Sequence, residues 1–226
     1  MIWQDKGYLI SQIKYNENSV ISEFFTEMHG KVSGIIFGAS SKKLKNYLLI
    51  GNKFHLNFNS KNDDKLGYFK IEIEKANTPF FLDNKTKLSC LIYAMSLLKV
   101  LTAENQENKN IFYLINDFFT LLDSENWVKD FIFWELNILK NLGYDINFKN
   151  YVSRENINGI QSYMVNSNNM KRIVPNYLID KNKKPKNFKE LFDGLNLVGD
   201  FLDKTIIKPN NLNFPNSRID FVNLLK

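Results

Sequence analysis

Residues 19–38 read SVISEFFTEMHGKVSGIIFG, two segments rich in β-branched and aromatic residues separated by His29-Gly30. Because such segments favour strands and a glycine beside a polar residue marks a turn, the stretch predicts a β-hairpin. The same pattern extends outward and predicts five strands, over Gly7–Tyr15, Ser19–Met28, Lys31–Gly38, Lys53–Phe58 and Leu66–Glu74. Five short strands in about seventy residues are the size of a small antiparallel barrel such as an OB-fold.

After Thr78-Pro79 the spacing of apolar residues changes from that of strands to that of helices. Three helical stripes follow, within residues 88–98, 111–122 and 126–142, and their spacing predicts a helical bundle. Further stripes within 188–201 and 219–225 predict two more helices.

The stretch from Tyr151 to Lys186 has no clear period and is rich in Asn, Ser and Lys. It predicts a loop-like insertion with a short hairpin around 163–174. The whole sequence therefore predicts an α+β protein in two domains. They are a five-stranded OB-fold β-barrel at 1–79 and an α-helical domain at 80–226, which carries the insertion at about 150–186.

The formal net charge of +6 favours polyanionic partners such as nucleic acid. Cys90 is the one cysteine, which excludes an intramolecular disulfide and a multi-cysteine zinc site. We therefore expect neither a metal nor a cofactor. Residues 1–14 lack a secretory pattern, and no apolar run approaches membrane-spanning length, so we expect a cytoplasmic protein with no membrane partner.

Signatures of common enzymes are absent from the sequence. It contains no G-x-x-x-x-G-K-[ST] phosphate loop, no H-E-x-x-H and no G-x-S-x-G. His29 and His55 are the two histidines, which leaves little material for a histidine-based catalytic or metal site. The sequence therefore predicts a protein that is not an enzyme. A hydrolase with an unrecognised carboxylate site stays an alternative, because sequence does not show which acids converge.

Between Met28 and Asn62 there are six lysines and no acidic residue, and aromatic residues are interleaved with them. Ammonium groups displace counterions from phosphates and rings stack on bases, so the pattern predicts a single-strand-binding groove on the barrel. The candidate DNA contacts are Lys31, Lys42, Lys43, Lys45, Lys53, Phe37 and Tyr47. The alternative is that the lysines are solvated and the aromatics are core, since alternation buries about half of a strand's residues.

A second basic cluster lies in the insertion and just after it. It comprises Lys171, Arg172, Lys181, Lys183, Lys184, Lys186 and Lys189, with Asp180 opposing it. Composition alone leaves two interpretations open, a solvated insertion or a second DNA contact. Lys171 and Arg172 are the candidate DNA contacts of this cluster.

Short motifs in a fixed order run along nearly the whole chain. They include Trp3–Gly7 before the first strand, Phe25–Lys31, Gly38–Lys42, Phe133–Tyr144, Leu197–Leu202 and Pro215–Arg218. Together they resemble the opening strand, F-T-x-x-x-G-[RK] hairpin, basic loop, F-E-L-x-L-L-x-x-L-G-Y helix and last segments of one family. That family is the bacterial recombination mediator RecO.

The resemblance implies an OB-fold on a helical domain and an activity that needs no ATP. The implied activity is to bind single- and double-stranded DNA, anneal complementary strands and help RecA load onto DNA coated by single-strand-binding protein. The implied partners are DNA, RecR and the C-terminal tail of single-strand-binding protein, and indirectly RecA. A different class of function also fits the composition, an RNA-binding or ribosome-associated OB-fold protein.

The chain departs from the family's pattern in its insertion and its basic loop. Many members carry a four-cysteine zinc ribbon after the L-G-Y helix, and residues 145–186 contain no cysteine. We therefore expect a zinc-ribbon-like hairpin without its metal. Ser40 and Ser41 stand where arginines are common in the family, which makes Lys42, Lys43 and Lys45 the substitutes.

Members of the family capture the acidic, Phe-terminated tail of single-strand-binding protein in a groove of the helical domain. Ile132 and Phe133 stand where an arginine is usual, so Lys129 or Lys140 must supply the charge. The candidate apolar walls are Phe131, Trp134 and Ile138. The alternative is that these aromatics are ordinary bundle core, since any packed helix shows an apolar stripe.

Overall fold

The computed structural model describes residues 1–61, 66–157, 160–167 and 170–226. The chain divides into two compact units. Unit 1 comprises residues 1–120 and 214–226, and unit 2 comprises residues 121–213. The three helices predicted within residues 88–98, 111–122 and 126–142 therefore do not all belong to one unit, since residues 126–142 lie in unit 2. The domain boundary between residues 79 and 80 stays a prediction.

Unit 1 contains a closed barrel of five strands in the order β1-β2-β3-β5-β4. The strands are β1 (Ile2–Asn16), β2 (Ser19–Thr26), β3 (Gly30–Phe37), β4 (Lys53–Asn59) and β5 (Gly67–Lys75). The β3–β5 pair is parallel and the other four pairs are antiparallel. The predicted five-stranded barrel is confirmed, and its size and closure are consistent with an OB-fold.

Successive side chains of a strand point to opposite faces, so every second side chain of these strands points into the barrel. Phe24, Ile36, Phe54 and Phe69 are among the residues whose side chains form its core, and all are at most 3% exposed. Strand β1 is long enough to pair with β4 through its first half and with β2 through its second, with a register shift between Leu9 and Ser11. Such a bulge bends a strand, which is how one strand serves both edges of a closed barrel.

The barrel strands β3 and β4 are joined by a one-turn helix, α1 (Lys42–Lys45). Helices α2 (Lys85–Leu101), α3 (Lys109–Leu122) up to residue 120, and α7 (Asn216–Leu224) complete unit 1. Asn84 caps the N-terminus of α2, because its side chain accepts a hydrogen bond from the Lys87 N–H. Helix α2 packs against α7. At this contact the hydroxyl and ring of Tyr93 on α2 meet the buried guanidinium of Arg218 on α7.

Unit 2 combines helices with a three-stranded sheet. The helices are α4 (Trp127–Asn141), α5 (Asn176–Ile179) and α6 (Phe188–Leu202), which continues as a π-helical turn at Asp203–Ile207. Strands β6 (Ser153–Ile157), β7 (Ile160–Ser167) and β8 (Met170–Val174) form an antiparallel sheet in the order β6-β7-β8. The hairpin predicted around 163–174 corresponds to β7 and β8. Strand β6 was not predicted, because its residues Ser153–Ile157 are mostly polar.

The fold class is therefore α+β, a five-stranded barrel followed by helices with a small sheet, as predicted. Among the described residues, no cluster of three or more histidine, cysteine, aspartate or glutamate side chains could hold a metal ion. No helix in the described ranges has the length and apolar character needed to span a membrane.

Candidate nucleic-acid interface

Three of the predicted DNA contacts, Lys42, Lys43 and Lys45, lie together on α1. The turn is held in place because Ser41 Oγ accepts a hydrogen bond from the Leu44 N–H at 3.3 Å and Leu44 packs against the barrel core. All three lysine side chains are exposed. Within the part of the chain that the structure describes, none of them forms an ion pair. Their ammonium groups are therefore available to an external anion.

An apolar row crosses the outside of the barrel. Ile13, Ile21, Ile35 and Tyr68 stand opposite one another on β1, β2, β3 and β5, since each is the register partner of the next. They face outward because alternate residues such as Ile36 and Phe69 fill the core. Ile13 is 60% exposed. Ile21, Ile35 and Tyr68 are partly buried, so the row reaches solvent most fully at Ile13, and we take it as a candidate interaction surface.

Phe37 extends this row at the end of β3, five residues before α1. It is 60% exposed, and its ring lies 6.0 Å from the Tyr68 ring in a tilted arrangement. We call Ile13, Ile21, Ile35, Phe37 and Tyr68 the barrel platform. Tyr68 was missed from the sequence. Alternation shows that one of Tyr68 and Phe69 must face outward, but it does not show that the outward ring meets Phe37 from another strand.

A cavity of about 540 Å³ lies beside α1 at one end of the barrel. Its lining includes Lys14 and Lys45, the apolar side chain of Val20, and Ser40. Glu17 is the single acidic residue in the lining. The lining therefore carries a net positive charge, and one of its two lysines, Lys45, belongs to α1, which favours an anionic ligand.

The other three barrel candidates have partners inside unit 1. Lys31 is 8% exposed and its Nζ donates a hydrogen bond to the Lys99 carbonyl at 2.8 Å. Lys53 Nζ lies 3.1 Å from Glu74 Oε1. Tyr47 is half-buried against the barrel core. These contacts occupy the three side chains, so the interface that we propose below does not include them.

The predicted tail-binding residues of α4 lie on two different faces of the helix. Phe131, Trp134 and Ile138 are at most 3% exposed, which agrees with the alternative that they are bundle core. Lys140 is exposed and lines a cavity of about 340 Å³. Lys129 is engaged, because its Nζ donates hydrogen bonds to two backbone carbonyls, those of Lys181 at 2.9 Å and Lys183 at 3.0 Å.

The cavity beside Lys140 has apolar walls of its own. Phe133 and Leu136 of α4, together with Leu178 and Ile179 of α5, line it. Phe133 stands near the position where the family usually has an arginine, and it was not among the predicted walls. The helical period could have indicated this face, because residues 133, 136 and 140 follow one another at helical spacing.

Two family models match the chain, and their matched regions cover most of it. "Recombination protein O N terminal" matches residues 1–76, which contain the barrel. "Recombination protein O C terminal" matches residues 83–175, from the start of α2 to the end of β8. The chain belongs to the RecO family.

Curated RecO proteins match over different lengths. "DNA repair protein RecO" of Ruegeria sp. (strain TM1040) is 29% identical over 148 residues, which are 65% of this chain and 61% of that protein. The protein of the same name from Rickettsia felis is 31% identical over 144 residues, 64% of this chain and 60% of the relative. That of Rhodospirillum centenum is 22% identical over 98% of this chain and 94% of its own length. The chain thus matches about three fifths of the first two relatives.

The RecO C-terminal match includes the three-stranded sheet that carries Lys171 and Arg172. Both are on β8 and both face a carboxylate. Lys171 Nζ lies 2.8 Å from Glu155 Oε1, and this hydrogen bond lowers the pKa of the Glu155 carboxyl. Arg172 pairs with Asp200. The two predicted DNA contacts of unit 2 are therefore engaged by neighbouring acids.

Proposed function

We propose that this chain is a non-enzymatic mediator of DNA repair and recombination that acts in the cytoplasm. It binds single- and double-stranded DNA, anneals complementary strands without ATP, and helps load RecA onto DNA coated by single-strand-binding protein, together with RecR. Membership of the RecO family supports this proposal, as do the relatives named "DNA repair protein RecO". The test is annealing of complementary oligonucleotides in the presence of the cognate single-strand-binding protein. Loss of annealing on purification to homogeneity would overturn it.

The observation that carries the DNA-binding part is the set of three exposed lysines on α1, which begins five residues after Phe37 of the barrel platform. Phosphates of either form of DNA bind the ammonium groups of Lys42, Lys43 and Lys45, which releases counterions. The rings of Phe37 and Tyr68 stack on unpaired bases, which are available in single strands. Lysines and rings together therefore give a preference for single strands over duplex.

Replacing Lys42, Lys43 and Lys45 by Ala should flatten the salt dependence of single-strand binding. Each lost phosphate contact lowers the slope of log K against log salt by about 0.7, so a drop of up to about 2 is expected. Fluorescence anisotropy of a labelled oligonucleotide over a salt series measures the slope. Lys85→Ala with Lys87→Ala, at the start of α2, is the control and should leave the slope unchanged. An unchanged slope in the triple variant removes α1 from the interface.

We propose that the cavity beside Lys140 receives the acidic, Phe-terminated tail of single-strand-binding protein. Phe133, Leu136, Leu178 and Ile179 supply apolar walls for the terminal ring, and Lys140 supplies the cation. A charge-assisted hydrogen bond to a carboxylate is the contact that this arrangement can make.

Lys140→Glu should weaken binding of a tail peptide about tenfold. The reason is that loss of a hydrogen bond to a charged group costs about 1.5 kcal/mol or more, less what solvent screens. Isothermal titration calorimetry with a synthetic acidic peptide ending in Phe measures the change. Lys189→Glu on α6 carries the same charge change outside the cavity and should bind like the parent. Parental affinity in Lys140→Glu would place the tail elsewhere.

A further inference from the structure

Unit 2 contains a second group of cations that no carboxylate engages among the described residues. Lys149, Arg154 and Lys183 form no ion pair with the acids that the structure describes, whereas Lys171 and Arg172 are paired with Glu155 and Asp200. All three unpaired side chains are exposed and line one cavity of about 440 Å³. Lys149 and Arg154 were not among the predicted contacts, because they precede the basic cluster along the sequence.

Different elements bring these cations to the cavity. Lys149 lies in the 3-10 turn Phe148–Asn150, Arg154 in β6, and Lys183 in the segment after α5. The backbone of Lys183 is held in place, because its N–H donates to the Asp180 carbonyl at 3.0 Å and its carbonyl accepts from Lys129 Nζ at 3.0 Å. The attachment point is therefore fixed while the ammonium group faces solvent.

An aromatic ring completes the cavity. Arg154 and Tyr163 are register partners on β6 and β7, and the guanidinium carbon lies 5.6 Å from the centroid of the Tyr163 ring. This contact holds the guanidinium over the ring without neutralising its charge. Asp180 is the single acid in the lining, and its Oδ1 accepts a hydrogen bond from the Asn182 N–H at 3.1 Å.

Three cations against one acid favour an anion, and the kinds of side chain present favour a nucleotide. A guanidinium presents parallel donors that match phosphate oxygens, and its plane also stacks on bases. Ammonium groups at two further points can contact neighbouring phosphates. The volume lies within the range of about 300–1,000 Å³ of small-ligand sites. An acidic peptide has the charge for this cavity but lacks a base for the Arg154 plane.

We propose that this cavity binds a single-stranded nucleic acid, with Arg154 and Lys183 on phosphate oxygens and Lys149 on an adjoining phosphate. The site lies wholly in unit 2 and goes beyond the barrel interface proposed above. The cavity is thus a second binding site for single-stranded nucleic acid, in addition to the barrel interface.

The test compares two variants that remove the same charge from unit 2 of the full chain. The cavity variant is Arg154→Ala with Lys183→Ala, and the control is Lys171→Ala with Arg172→Ala. The cavity variant should lower the salt slope of single-strand binding by about 1.4, at 0.7 per phosphate contact, and the control should leave it unchanged. Combined with the α1 triple variant, the cavity variant should remove most of the residual binding. A second cavity variant, Lys149→Ala with Lys183→Ala, leaves β6 unchanged and replaces the first in the same assay if the first does not fold.

The outcomes separate this site from the barrel interface. An unchanged slope in both cavity variants overturns the proposal, whatever the α1 triple variant does. An unchanged slope in the α1 triple variant alone overturns the barrel interface instead. If Arg154→Ala with Lys183→Ala binds DNA like the parent but loses affinity for the acidic peptide, the cavity belongs to the peptide and the nucleic-acid proposal is wrong.

Discussion

Gly30→Ala should destabilise unit 1 by about 3 kcal/mol or more, a large share of the stability of a typical domain. Gly30 opens β3 with φ of +67°, a conformation that costs a residue with a Cβ about 1–2 kcal/mol. An added Cβ would also lie 1.9 Å from the carbonyl oxygen of Gln106. The backbone at Gln106 cannot easily move away from Gly30, because the N–H of the neighbouring Asn105 donates a hydrogen bond to the Lys31 carbonyl at 2.9 Å.

Gly38→Ala is the matched control for this prediction. Gly38 has a similar φ of +74°, but an added Cβ there would meet no atom within 4 Å. Its cost should be the backbone strain alone, about 1–2 kcal/mol. Urea unfolding of both variants measures the two free energies, and their difference isolates the clash with Gln106. Equal losses would mean that the segment at 106 does not approach the β2–β3 hairpin so closely.

Phe37→Ala combined with Tyr68→Ala should weaken single-strand binding by about 2–4 kcal/mol, which is roughly a 30- to 1,000-fold loss of affinity. The two rings lie 6.0 Å apart on the barrel platform, and stacking on one base is worth about 1–3 kcal/mol. Duplex binding should fall much less, because paired bases are not free to stack. The salt slope should stay near the parental value, since neither ring displaces counterions.

Phe80→Ala with Tyr113→Ala removes the same two residue types from elsewhere in unit 1. Phe80 is 81% and Tyr113 is 52% exposed, so the control removes two rings that solvent reaches but that lie outside the barrel platform. Affinities for single-stranded and duplex oligonucleotides of equal length, measured for both variants, decide the outcome. Equal losses in the two variants, or equal losses for the two forms of DNA, contradict stacking on the platform. A structured RNA competitor in the same assay tests the alternative of an RNA-binding protein.

The number of barrel strands and their approximate positions along the chain could be predicted from the sequence, because alternation and turn residues are local; the parallel pairing of β3 with β5 could not, because it depends on contacts between distant segments. The bounds were less accurate, and β1 begins at Ile2 rather than at Gly7 because its pairing with β4 extends it. Strand β6 was missed because its side chains are mostly polar, and its pairing with β7 supplies the hydrogen bonds that local propensity does not.

For the candidate site, the sequence alone was enough for the resemblance to the RecO family and for a basic segment between β3 and β4. Which cations are available to a ligand depends on contacts between residues that are distant in the sequence. Lys31 donates to a carbonyl 68 residues away and Arg172 pairs with an acid 28 residues away, whereas the α1 lysines and Arg154 meet no such acid among the described residues. Whether a cation is free depends on the group that reaches it through space, and spacing along the chain does not contain that information.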